Sequence, residues 1–86
     1  MKGVYRLNID FGRMGEVEGI FVAESEAVKN IIGKYIYFGE ILGKHSEVKG
    51  TPEEDEIELI TEDQTAVEVI EKHGLETGYN PFDYLN

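Results

Sequence analysis

The chain has no cysteine, only two prolines, and eight lysines and arginines set against eighteen aspartates and glutamates. Without cysteine there is no disulfide staple, no thiolate zinc site and no thiol nucleophile, so stability has to come from packing. Long apolar runs are also missing. The longest, residues 20–23 and 35–38, have four residues each, far short of the ~20 needed to cross a bilayer. Residues 1–9 alternate charged and apolar side chains and lack the continuous apolar core of a targeting signal. A cytoplasmic location is therefore expected. The shortage of positive charge, with a net charge of −10, argues against direct contact with nucleic-acid phosphates or an anionic membrane, because both require lysine and arginine to displace counterions.

What is present suffices for a fold. Ile, Leu, Val and Phe make up 25 of the 86 residues, above the roughly 20 % below which a highly charged chain stays disordered. The length suits one domain, residues 1–86, and a domain this small buries only about 60 % of the surface its unfolded chain exposes. Nearly every apolar side chain has to contribute.

The charge is unevenly placed. Residues 1–50 contain seven acids and seven bases, whereas residues 51–86 contain eleven acids and one base, Lys72. The whole excess belongs to the second part, and an electrostatic function is expected there.

Tyr5, Leu7, Ile9 and Phe11 alternate with Arg6, Asn8 and Asp10, the period of a half-buried strand. Gly12-Arg13-Met14-Gly15 supplies a turn into a second strand that faces Val17, Phe21 and Ala23 inward, which predicts a hairpin. Glu24-Ser25-Glu26 opens a short helix carrying Ala27, Val28, Ile31 and Ile32 on one side, with Gly33 as its stop. Residues 35–38 read as a third strand that could extend to Leu42, with a bulge or bend at Gly39. The polar stretch 43–52 reads as a loop or a weak edge strand around Val48. Ile57, Leu59 and Thr61 alternate with Glu56, Glu58 and Ile60 in a fourth strand. Thr61-Glu-Asp-Gln64 matches a capping box, and the helix it opens should turn Ala66, Val67, Ile70 and His73 inward before Gly74 ends it. Asn80-Pro81 should start a closing turn that lays Phe82 and Leu85 on the core. The order β-β-α-β-β-α predicts an α+β fold, a four-stranded antiparallel or mixed sheet with both helices on one face.

Two groups of residues are candidate sites. The acids Glu53, Glu54, Asp55, Glu56, Glu58, Glu62 and Asp63 could present a negative surface to a basic partner, for instance a nucleic-acid-binding protein, and such a surface speeds encounter with a cation. The competing reading is a solvated face that serves solubility alone. Specific metal binding is not expected, since the spacing lacks the glycine and distal glutamate of a calcium loop. The second group is Glu40, Lys44, His45, Ser46 and Glu47, a polar loop suited to a small ligand or an enzyme-accessory role. Its serine, histidine and glutamate are consecutive, so their side chains diverge and cannot form a hydrolytic triad. His73 reads as structural. No catalytic residue and no cofactor is expected, because nucleophile, paired histidine and phosphate-loop signatures are all missing. The tail segment Tyr79-Asn-Pro-Phe-Asp-Tyr84 contains an Asn-Pro-Phe tripeptide similar to short adaptor-binding motifs, and core closure is its simpler role.

Tyr-Phe-Gly-Glu-Ile-Leu-Gly-Lys-His-Ser-Glu (37–47) and Gly-Tyr-Asn-Pro-Phe-Asp-Tyr (78–84) resemble segments of small uncharacterised phage and prokaryotic proteins, over about a fifth of the chain. The resemblance implies a small standalone phage or microbial protein and carries no activity, ligand or catalytic residue with it. The sequence thus points to a non-enzymatic acidic interaction protein, with a small-ligand domain and a strand-paired homodimer as the alternatives.

Overall fold

The computed structural model describes residues 1–43 and 47–85. Strands β1 (Lys2–Asp10) and β2 (Glu16–Glu24) form the expected antiparallel hairpin, in register from Lys2 opposite Glu24 to Asp10 opposite Glu16. Its turn is a single 3₁₀ turn, Gly12–Met14, closed by hydrogen bonds between Phe11 and Gly15 and between Gly15 and Gly12. Both flanking glycines have positive φ, 67° and 110°, a region where a Cβ is penalised.

The rest of the sheet departs from the sequence reading. β5 (Ile57–Thr61) pairs with β1, and β6 (Thr77–Gly78), a strand the sequence did not suggest, pairs with β2, giving the antiparallel order β5-β1-β2-β6. β3 (Ile36–Gly39) is outside this sheet and forms a separate ribbon with β4 (Val48–Gly50). The third and fourth strands expected from the sequence, residues 35–38 and 57–61, therefore do not belong to one sheet, and the observed element order replaces β-β-α-β-β-α. β3 stops at Gly39 and does not reach Leu42, and the expected bulge is present, since Phe38 has no partner between the pairs Tyr37 to Lys49 and Gly39 to Val48. A second bulge falls at Ile60 in β5, which breaks the alternation predicted there: Ile57 is buried, but Leu59 and Ile60 are each 46 % exposed.

The two helices do not share a face. Helix α1 (Ser25–Ile31) buries Val28 and Ile31 in the main core with Tyr5, Leu7, Ile9, Val17 and Phe21, joined by Ile36, Phe38, Val48 and Ile57. Helix α2 (Gln64–His73) lies on the other side, where Lys2 and Val4 point. There Lys2 Nζ meets Glu71 at 3.0 Å, Gln64 Nε2 donates to the Lys2 carbonyl, and Val4 and Val67 are buried outside the main cluster. The physical reason is that β1 and β2 carry apolar side chains on both faces at one end. Val4 and its cross-strand partner Val22 need a cover that α1 cannot provide.

The cap of α2 is also displaced. Asp63, rather than Thr61, is the N-cap and accepts from the Thr65 amide at 3.0 Å, while Thr61 Oγ1 accepts from the Asp63 amide. His73, expected to turn inward, is instead exposed, as the last residue of α2. In the C-terminal 3₁₀ turn Pro81–Tyr84, Asn80 caps the Phe82 amide as expected, and Phe82 packs on Phe21. Leu85, expected on the core, is 36 % exposed.

Tyr5 links this core to the acidic edge. Burial first, then the Glu62 and Glu24 carboxylates, push its phenol above the ordinary 10.0. A phenol that is harder to ionise when folded contributes stability fully below the unfolded pKa and loses it as pH rises beyond it. Unfolding free energy should therefore fall above pH 10, and Tyr5→Phe should flatten that fall. Urea unfolding of both proteins from pH 9 to 11 checks this, and parallel slopes would refute it.

Candidate functional site

Alternation along β1 puts Arg6, Asn8 and Asp10 on the face away from the main core, the same face that α2 covers at Lys2 and Val4. Directly across from Arg6 stand Glu58 on β5 and Ile20 on β2, and across from Asn8 stands Glu18, whose Oε1 accepts from Asn8 Nδ2 at 3.3 Å. Arg6 therefore sits between two shallow concavities. One, of about 460 Å³, runs along Glu18, Gly19, Ile20, Thr77 and Gly78, and the other, of about 210 Å³, is bounded by Asn8, Asp55, Glu56 and Glu58. The sequence reading did not single out Arg6. Its position at the centre of the most regular strand, across from the acid-rich one, becomes visible only once β5 is paired with β1.

Of the predicted acids only Glu58 lies within β5, and the others flank it. Glu54, Asp55 and Glu56 form a 3₁₀ turn rather than a strand, immediately before β5. Glu56 turns back so that Oε1 accepts from the Glu53 amide at 2.9 Å, which uses part of its acceptor capacity. Glu58 lies within the strand, and Glu62 and Asp63 follow it, with Asp63 engaged as the helix cap. At about 3.3 Å per residue, the six steps from Glu56 to Glu62 separate the two ends by about 20 Å. The acids are thus not one patch but a line of charge along a sheet edge. Four ion pairs occur among the described residues, and they use Glu24, Glu71, Glu26 and Glu47. None of Glu53, Glu54, Asp55, Glu56, Glu58, Glu62 and Asp63 belongs to one.

Of the second candidate group, Lys44, His45 and Ser46 lie outside the described residues, so only Glu40 and Glu47 can be placed. They flank Tyr37. Desolvation, the Glu47 charge and the hydrogen bond to Glu47, and then Glu40, raise the Tyr37 phenol above 10.0. Beside it a depression of about 260 Å³ is lined by Lys34, Tyr35, Tyr37, Tyr84 and Leu85. The sequence segments 37–47 and 78–84, read separately above, meet here: the Phe38 and Tyr84 rings are 5.0 Å apart, and the Tyr79 hydroxyl donates to the Ile41 carbonyl at 3.4 Å.

Among the described residues no three His, Asp or Glu side chains come together as a metal-binding group, and no helix is long and apolar enough to cross a membrane. No protein-family model, curated protein or solved structure matches the chain.

Proposed function

We propose that this protein is a non-enzymatic, cytoplasmic interaction protein whose acidic C-terminal part binds a basic surface on a partner, such as a nucleic-acid-binding protein. The observation that supports this reading is the run of seven carboxylates in β5 and the segments that flank it, none of them in an ion pair among the described residues. Like charges held this close repel one another and destabilise the fold, and a cationic partner relieves that repulsion while being steered to the surface.

In a pull-down from source lysate, a basic protein should be captured and then released by about 0.5 M salt, at which exposed charges are screened within a few ångströms. Glu54→Lys with Asp55→Lys should abolish capture. Glu16→Lys with Glu26→Lys changes the net charge equally and should retain it. Equal loss in the two double variants would reduce the effect to net charge and refute a defined surface.

A further inference from the structure

β5 is an edge of the four-stranded sheet, and among the described residues no strand lies on its outer side. Alternate residues of such an edge turn their N–H and C=O groups away from the sheet, where they can pair with another chain. The side chains beside this edge fall into two rows. Glu58 shares the face of Arg6, whereas Leu59, across from Tyr5, shares the opposite face. Leu59 and Ile60 are both 46 % exposed, adjacent apolar side chains on a five-residue strand. Acids bracket the edge at either end, with Glu54 and Asp55 before it and Glu62 after it.

We propose that β5 is a strand-addition site for a basic, extended segment of a partner protein, which joins the sheet as a fifth strand. This deepens the acidic-docking reading and rests on it. The choice of occupant follows from charge. A second copy of this chain pairing at the same edge would bring two sets of uncompensated carboxylates together, and like charges placed across from one another are destabilising. A strand with lysine or arginine at alternate positions meets the opposite situation: its cations lie beside Glu58 on one face, its apolar residues beside Leu59 on the other, and its flanks near the bracketing acids. The bulge at Ile60 and the charge of Glu58 are the devices that keep a sheet edge from indiscriminate pairing. Here the same charge that turns away a second copy admits a basic strand, which is how selectivity arises from a repulsive element. Backbone pairing then supplies affinity and the alternate side chains supply specificity.

The test uses two synthetic octapeptides of alternating lysine and valine, one unmodified and one N-methylated at every amide. Both carry the same charge, but the methylated peptide cannot donate backbone hydrogen bonds. Titrated into the ¹⁵N-labelled full chain, the unmodified peptide should shift amides of residues 57–61 and protect the outward-facing ones among them, and the methylated one should bind at least about ten-fold more weakly. Equal binding of the two peptides, lost in the Glu54→Lys, Asp55→Lys double variant, would overturn strand addition and leave acidic docking standing. Failure of both to bind would overturn both. Sedimentation as a dimer with β5 amides protected before any peptide is added would assign the edge to a second copy and overturn the proposal.

Discussion

Phe21→Ala should remove about 3–5 kcal/mol of stability, the range for deleting a fully buried phenylalanine. Phe21 has no exposed surface and stands at the centre of β2, directly across from Tyr5. Its ring lies 6.0 Å from that of Tyr5 at an interplanar angle of 21°, and 5.8 Å from that of Phe82 at 66°. The side chain therefore joins the hairpin to the C-terminal turn, and alanine would lose both aromatic contacts and leave a cavity that a rigid sheet cannot close. At about 0.05–0.15 kcal/mol per residue, a chain of this length has roughly 4–13 kcal/mol in total, so the variant loses between about a quarter and all of it. Urea unfolding followed by far-ultraviolet circular dichroism gives the value directly. A loss below about 1 kcal/mol, the scale of an ordinary surface change, would mean that the aromatic centre is not the core.

Gly19→Ala should cost about 3 kcal/mol, the upper end for forcing atoms into filled space. Gly19 faces the core across from Leu7 on one side and pairs with Gly78 on the other. A Cβ there would overlap the backbone of Tyr79, whose amide donates to the Glu18 carbonyl at 2.9 Å. Because the obstacle is main chain, no rotamer change relieves it. β6 would have to leave β2, and residues 77–85 would release the Phe82 contact to Phe21 and the Tyr84 contact to Phe38 with it. A double-mutant cycle tests this mechanism. In a chain ending at residue 76, Gly19→Ala should cost nothing measurable, because the atoms it would strike are gone. A full cost in the shortened chain would place the strain elsewhere.

Much of the local structure was legible. The first hairpin followed from strict alternation on either side of a glycine-bracketed turn, and both helices followed from their apolar spacing and from Gly33 and Gly74 at their ends. β4 was legible only as an alternative, because a three-residue strand carries little pattern, yet Val48 is fully buried. The unexpected side of α2 had a readable signal in Val4 and Val22, apolar residues on the face assigned to polar ones. β6 had none. A two-residue strand has no period, and what permits it is the approach of two glycines, Gly19 and Gly78, that are remote in sequence.

The candidate acids were legible as a cluster because charge is counted residue by residue, and the sequence alone determined that the negative excess lies in residues 51–86 and that no thiol chemistry is available. Only the tertiary structure decided what the acids border. Pairing β5 with β1 instead of β3 placed them in and around the edge strand of the sheet, with Glu58 across from Arg6 and the exposed Leu59 and Ile60 next to it. Periodicity says which residues of a strand share a face, but a strand's partner depends on the summed packing of the whole sheet. That choice put an acidic stretch of sequence at the edge of the sheet.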